Sequence, residues 1–339
     1  MTPPTDFARH VTGFLTTYLA GQRNVSPNTI RSYRDTFVLL LRYLRDVRDL
    51  PVERITVATL DAPAIVAFLE HLQTERRCSP RTCNQRLAAV HAFARYVQGE
   101  APDHLLAMQR VLAIPRRRFA RKPVGYLEAA DLGAVLAQPD TTSATGRRDA
   151  VLLSVLYDTG ARCQELLDLR VKDVRLDAPA HVRLTGKGRK TRIVPLMAST
   201  IALLRGYLET QRLLEPDAGG RPVFVGRHGA PMSRSGLRYL LAKHVLSAAN
   251  SRTGIPSKVG PHTLRHSKAM HMLQAGVPLV IIRDILGHVD VKTTEVYARA
   301  DLEMKRRALE TTATSPGAPL TPTPTWRESR ELMAWLTAL

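Results

Sequence analysis

Cysteine is scarce in this sequence: Cys78, Cys83 and Cys163 are the only three in 339 residues. So sparse and odd a set excludes a disulfide frame and suits a reducing compartment. Cys78 and Cys83 have no second pair of ligands nearby, which argues against a zinc site. Long apolar runs are missing too. One of the densest, Phe37 to Leu41, falls far short of the roughly 20 residues that span a bilayer. The N-terminus, MTPPTDFARH, has no charged segment followed by an apolar one, so no secretory signal is expected. No lipidation motif or lysine-rich amphipathic anchor stands out, and no cluster of carboxylates is placed to hold Mg²⁺. Acidic residues are in short supply: 30 Asp+Glu face 49 Lys+Arg, for a formal charge of +19. These deficits describe a basic, soluble, cytoplasmic protein with no membrane partner, no metal and no cofactor.

The excess positive charge is spread along the chain. Residues 1–124 carry 19 Lys+Arg against 10 Asp+Glu, residues 125–310 carry 28 against 18, and the last 29 residues balance. Charge on two successive regions, rather than on one tail, suits a protein that grips a polyanion from two sides. The length suits two domains, and the 44% apolar content suits a buried core.

Apolar periodicity predicts four helices in the first region. One covers 4–22. A second opens at Ser26-Pro27, a third runs from Thr59 to Gln73, and a fourth opens at Ser79-Pro80 and passes Val97. Each Ser-Pro start combines a side-chain cap with proline in the first turn. Its free N–H groups, beside Arg31 and Arg34 or beside Arg81, form a phosphate contact or simply a well-capped helix. The strip 114–124, IPRRRFARKPV, brackets Arg116, Arg117, Arg118, Arg121 and Lys122 with prolines. It reads as an interdomain linker that tracks a nucleic-acid backbone or only aids solubility.

Beyond Leu127 the pattern is mixed. Helices are expected near 128–138, 147–158, 199–213, 234–249, 262–275, 278–287, 291–299 and 301–311. A hairpin is expected over 181–185 and 191–196, turning at Gly186-Lys187-Gly188-Arg189-Lys190, and a short strand near Val223 to Val225. The fold class is therefore mainly α with a small antiparallel β-sheet. The expected domains are 1–113, helical, and 125–311, mixed, joined by linker 114–124. A Pro/Thr-rich linker, 312–325, leads to a C-terminal helix, 326–339, too short to be stable alone. That helix folds back on its own chain or docks on a neighbouring protomer.

The chemistry concentrates late in the chain. His262 and Arg265 in PHTLRHSKAMHML lie one helical turn apart. His288 follows in Leu286-Gly287-His288, and Tyr297 comes nine residues later. Arg162, in TGARCQELLDL, sits at a helix start, with Glu165 one turn on to hold its guanidinium. Two arginines offer planar donors to the non-bridging oxygens of a phosphate and stabilise the charge of a pentavalent phosphorus. A phenol attacking that phosphorus yields a phosphotyrosine ester, and Lys187 on its turn is placed to protonate the departing alkoxide. Each piece has a bland reading: a packed tyrosine, a plain Gly-Lys-Gly turn, an HxxR packing pair, a glycine helix stop. Their order and contexts together do not.

The segments TGARCQELLDL, LTGKGRKTRIVPL, PHTLRHSKAMHML and LGHVDVKTTEVYA, with SPNTIRSY near the start, resemble the tyrosine recombinases of the phage-integrase family, Xer-like or Cre-like. The resemblance covers nearly the whole chain. It implies a SAM-like four-helix core-binding domain ahead of a catalytic domain, clamped around duplex DNA. It also implies that Arg162, Lys187, His262, Arg265 and His288 are catalytic and Tyr297 is the nucleophile. The family's reaction leaves a 3′-phosphotyrosyl link and a free 5′-hydroxyl, and passes through a Holliday junction on a homo-tetramer at paired sites, or a dimer on one site. A partner recombinase, service to a mobile element or to chromosome resolution, and nucleoid association all accord with it.

Two departures stand out. Cys163-Gln164 stands where the family usually has a small or hydrophobic residue and then serine, and a thiol beside an active-site arginine raises the expectation of oxidation sensitivity at Cys163. The Pro/Thr spacer is also longer than in compact members. No separate arm-binding domain is expected. A type IB topoisomerase, acting as a monomer, and a non-catalytic architectural DNA-binding protein remain the competing readings.

Overall fold

The computed structural model describes residues 4–120, 125–186, 188, 190–226, 229–287, 334, 337 and 338. The chain forms two compact units, Met1–Lys122 and Pro123–Leu339.

In the first unit α1 (Asp6–Gly13) starts where Thr5 accepts from Ala8 N, and continues as a π-helical stretch, Phe14–Gln22. The sequence predicts one helix over this region; the wider second half differs for a physical reason. Phe14 and Leu19 are both buried, and residues five apart align only where the winding follows i→i+5 bonds, as in Arg23 N to Tyr18 O. Ser26 caps α2 (Pro27–Asp46) and Ser79 caps α4 (Pro80–Glu100), each serine accepting from a threonine N–H at 3.3 Å.

Between them α3 (Ala62–Thr74) starts later than the expected Thr59. Asp61 accepts from Ala64 N at 2.8 Å and so sets the start, while the Thr59 hydroxyl closes the preceding turn on Thr56 O at 2.6 Å. A further helix, α5 (Leu105–Leu112), joins the expected four. It has eight residues and no side-chain cap, so its sequence carries no start signal. The core is aromatic. Phe14, fully buried, meets Phe93 edge-on at 5.4 Å and stacks with Tyr33 at 6.2 Å; such pairs add about 0.5–1.5 kcal/mol each beyond the area they bury. Asn84 on α4 clasps the Arg117 backbone at both N and O, each at 2.8 Å, which pins the middle of the run Arg116 to Arg118.

The second unit is built around α7 (Ala144–Thr159), whose Val151, Leu152, Leu153, Val155 and Leu156 are all buried. A helix apolar on most sides needs cover on most sides. It is packed by α6 (Ala129–Leu136), α9 (Ala198–Thr210) and α11 (Pro261–Gln274). His271 on α11 ties this packing to the chain just ahead of α6: its Nε2–H donates to Leu127 O, and its Nδ1 accepts from Tyr157 O–H, both at 2.9 Å.

A three-stranded antiparallel sheet, in the order β1 (Val174–Arg175), β2 (His181–Thr185) and β3 (Thr191–Pro195), lies beside α8 (Cys163–Leu167). The β2–β3 register pairs Leu184 with Arg192 and Arg183 with Ile193. The strand expected near Val223 to Val225 does not form. Isolated bridges, Arg170 to Pro222 and Val225 to Pro231, take its place, because two prolines deprive that segment of ladder donors.

Ser233 caps α10 (Arg234–Ser251), as its sequence signals, and α12 (Leu279–Leu286) packs on α11. The helices expected at 291–299 and 301–311, the Pro/Thr linker and all of the tail helix save Ala334, Thr337 and Ala338 fall outside the described residues. Among the described residues no helix is long and apolar enough to cross a membrane.

Candidate active site

The end of α7, the start of α8, strand β3 and the first two turns of α11 converge on the C-terminal end of α12. A helix end leaves its last carbonyls without partners and carries the negative pole of the macrodipole. Three arginines meet that need in succession. Arg192 Nε donates to Ile285 O at 2.8 Å, Arg265 Nη2 to Leu286 O at 2.6 Å, and Arg162 Nη2 to Gly287 O at 3.1 Å. Arg265 also reaches the other side of the site, donating through Nη1 to Gly160 O at the end of α7. Consecutive carbonyls thus set the Arg162 and Arg265 guanidiniums side by side.

Glu165 organises the cluster from beneath. Its Oε1 accepts from Arg162 Nη1 at 2.6 Å, and its Oε2 accepts from Arg162 N at 2.8 Å and from Arg192 Nη2 at 2.7 Å. Burial alone would raise this carboxyl. The hydrogen bonds from Arg192 and Arg162 outweigh that and hold it below its usual value. The expectation that Glu165 holds the Arg162 guanidinium is met, but the same carboxylate also holds Arg192, which the sequence reading did not single out. Exposure separates the two expected arginines: Arg265 is 3% exposed, whereas the Arg162 side chain is 34% exposed. Arg265 is therefore part of the core as well as of the site.

His262 stands on the first turn of α11, one turn before Arg265. Partial burial lowers its pKa, and the guanidiniums of Arg265, Arg162 and Arg238 lower it further, so the imidazole is neutral at pH 7 and able to accept a proton. A test follows from the sign of these shifts. If His262 serves as a base in DNA cleavage, the single-turnover rate should hold below the ordinary imidazole range and then fall as pH drops. Arg238→Ala removes one repelling cation and should move that acid limb to higher pH; a limb that stays put, or moves lower, would contradict the assignment.

Lys187, His288 and Tyr297 lie outside the described residues, as do Arg121 and Lys122. The chain neighbours of two of them are described. At Gly186 a Cβ would lie 2.8 Å from Glu165 Oε1, and at Gly287, whose φ is +64°, a Cβ would lie 3.0 Å from Arg192 Cδ and Nη1. Glycine at both places lets the backbone press against the Glu165–Arg192 pair. In the first unit Arg31, Arg34, Arg81, Arg116 and Arg118 are exposed and Arg117 is half-buried. Arg34 is paired with Asp35 at 2.9 Å. Cys163 departs from expectation: burial pushes its thiol up, and the opposing pull of Arg234 and Arg238 does not offset this. A thiol so placed yields less thiolate, which works against oxidation there.

A guanidinium cluster in a mostly helical unit with one small antiparallel sheet, following a separate helical unit, is the architecture of the phage integrases. The chain belongs to the phage integrase family: that family's signature matches residues 126–304, and the signature of the phage integrase N-terminal SAM-like domain matches residues 12–100.

Among known proteins it is similar to the putative integrase/recombinase y4rC of Sinorhizobium fredii, at 39% identity over 100% of both chains. It is also similar to the tyrosine recombinase XerD of Listeria monocytogenes, at 31% identity over 83% of this chain and 90% of that one. Its fold matches the XerH site-specific recombinase in a post-cleavage complex with palindromic difH substrate (TM-score 0.65, 21% identity, 86% of this chain and 81% of that one). It also matches the Tn1549 transposon integrase in complex with transposon right-end DNA (TM-score 0.67, 18% identity, 89% and 99%).

Proposed function

We propose that this protein is a site-specific DNA recombinase that cuts and rejoins duplex DNA through a 3′-phosphotyrosyl intermediate. The observation that carries the reading is the placement of Arg162 and Arg265 on adjacent carbonyls, Gly287 and Leu286, braced by Glu165. In the proposed reaction Tyr297 Oη attacks the scissile phosphorus and its proton passes to neutral His262. Arg162 and Arg265 balance the charge that builds on the non-bridging oxygens, with His288 as a further donor. The P–O5′ bond breaks, and Lys187 gives the leaving 5′-oxygen its proton. The ester stores the energy for rejoining, so the scheme calls on neither ATP nor metal. Gly186 and Gly287, which flank Lys187 and His288 in sequence, both abut the Glu165–Arg192 pair, and this supports the assignment.

The same reading gives residues 1–113 a DNA-binding role, with Arg31, Arg34 and Arg81 on the backbone together with Arg116, Arg117, Arg118, Arg121 and Lys122 of the 114–124 linker, and residues 125–311 the catalysis. Phosphate contacts of this kind give affinity without sequence preference. The 312–325 spacer would let the 326–339 helix dock on a neighbour in a homo-tetramer on paired sites, or in a dimer on one site, alone or with a partner recombinase. Work on nucleoid DNA in the cytoplasm, for a mobile element or for chromosome resolution, fits the chemistry.

Duplexes recovered by binding to the intact protein from a randomised pool provide the test. They are placed once or twice on supercoiled circles. Exchange that requires two copies supports the recombinase. Relaxation of single-copy circles by a monomer would instead make the protein a topoisomerase, and binding without any covalent adduct would make it architectural. Lys187→Ala should slow cleavage by about 10²–10⁴-fold, the usual worth of a general acid. A bridging 5′-sulfur, which leaves without a proton, should restore most of that loss; an equal defect on both substrates would remove Lys187 from the acid role.

A further inference from the structure

Arg192 has no part in the reaction just described, yet it is built into the centre of the site. We propose that Arg192 is a positioning residue for strand cleavage: it locks Glu165, and through it the Arg162 guanidinium, against the end of α12. The inference rests on the recombinase reading and adds to it a residue that acts through Glu165 rather than on the phosphate.

Three observations lead here. First, Arg192 is on the inward face of β3. Its neighbours Thr191 and Ile193 are exposed, while its own side chain is only 11% exposed and its register partner Leu184 is fully buried. A buried cation is costly unless fully paired, and this one is paired twice, with Glu165 Oε2 and Ile285 O. Second, Glu165 serves both arginines at once. With Oε2 held between Arg192 Nη2 and the Arg162 N–H, Oε1 has a fixed place from which to hold Arg162 Nη1. Without Arg192 only the Arg162 N–H would hold Oε2, so the carboxylate would swing about that single local bond and the guanidinium would lose its register on the phosphate.

Third, the Arg192 side chain lies directly under Gly287, the last described residue before His288. The acceptors are on two different elements, α8 and α12, and the planar fork meets them with separate donors, Nε and Nη2, held in fixed geometry, which an ammonium does not offer. Lysine at this position would keep the charge and lose the bridge.

The test uses single-turnover formation of the covalent adduct on a nicked duplex from the selected pool. One version carries an ordinary scissile phosphate and the other a neutral methylphosphonate. The methylphosphonate removes one negative charge and so lessens the demand on Arg162. Arg192→Lys and Arg192→Gln should bind the duplex within about threefold of wild type, because many other cations share the backbone load.

On the phosphate they should cleave about 100-fold more slowly, the scale for a lost charge-stabilising donor, and on the methylphosphonate the deficit should shrink to under about tenfold. Cleavage within threefold of wild type on phosphate would overturn the proposal. So would an equal deficit on both linkages, since that is what a merely structural role gives. Should neither variant fold, Glu165→Gln, which keeps the size and one acceptor, is held to the same criteria. Failure of wild type to form an adduct on either linkage would instead count against the recombinase reading itself.

Discussion

Tyr297→Phe eliminates the covalent protein–DNA adduct and leaves duplex binding within about threefold of wild type, where many other cations share the phosphate contacts. The expected loss in cleavage is at least about 10⁴-fold, since removing a nucleophile removes the pathway rather than weakening it. Two other tyrosines of the second unit, Tyr207 and Tyr157, cannot stand in. Burial pushes Tyr207 up to about 12, and its hydroxyl is spent on Val223 O. Burial also raises Tyr157, whose hydroxyl is bonded to His271. A phenol that ionises so reluctantly is a poor nucleophile at neutral pH. Denaturing electrophoresis after incubation with a nicked duplex reads the result, and an adduct of undiminished yield from Tyr297→Phe would place the nucleophile elsewhere.

The second large effect separates the two arginines that the family pattern treats alike. Arg162→Ala and Arg265→Ala should each slow cleavage by about 10²–10³-fold, the scale for removing one donor to a charged transition state. Their effects on folding should differ. Arg162 is one-third exposed, and its loss leaves Glu165 still paired with Arg192, so the variant should be only about 1 kcal/mol less stable to denaturant than wild type. Arg265 is buried and bonds the carbonyls of Gly160 and Leu286, which join α7 to α12 across α11. Stripping two buried carbonyls of their donor should cost about 2–5 kcal/mol. Paired denaturant melts and single-turnover cleavage distinguish these outcomes. Equal destabilisation by both, or cleavage within tenfold of wild type by either, would contradict this account.

Much of this site could be read from the sequence, for physical reasons that differ by residue. Arg162, Glu165, His262 and Arg265 are spaced within single helical turns, so local geometry alone brings each pair together. Gly160 and Gly287 mark helix ends by their left-handed backbone, a local signal as well. Arg192 was missed because its partners, Glu165 and Ile285, are 27 and 93 residues away in sequence and neither periodicity nor capping points to them. Strand alternation did carry a hint, since it places an arginine on the side of β3 that faces inward.

The same contrast holds in the fold. Ser-Pro caps gave α2 and α4 correctly, whereas α5 has no cap and the π-helical stretch depends on tertiary packing around Phe14. Cys163 shows the limit of reading chemistry from neighbours in sequence: the adjacent arginine suggested a reactive thiol, whereas partial burial works against its thiolate.

The most direct measurement is the identity of the amino acid that carries the DNA. Trapped adduct, digested with nuclease and trypsin, should yield the peptide spanning residues 293–299, TTEVYAR, with the mass of a nucleotide 3′-phosphate on Tyr297. Nucleotide on any other residue, or attached through a 5′-phosphate, would contradict the account at its centre.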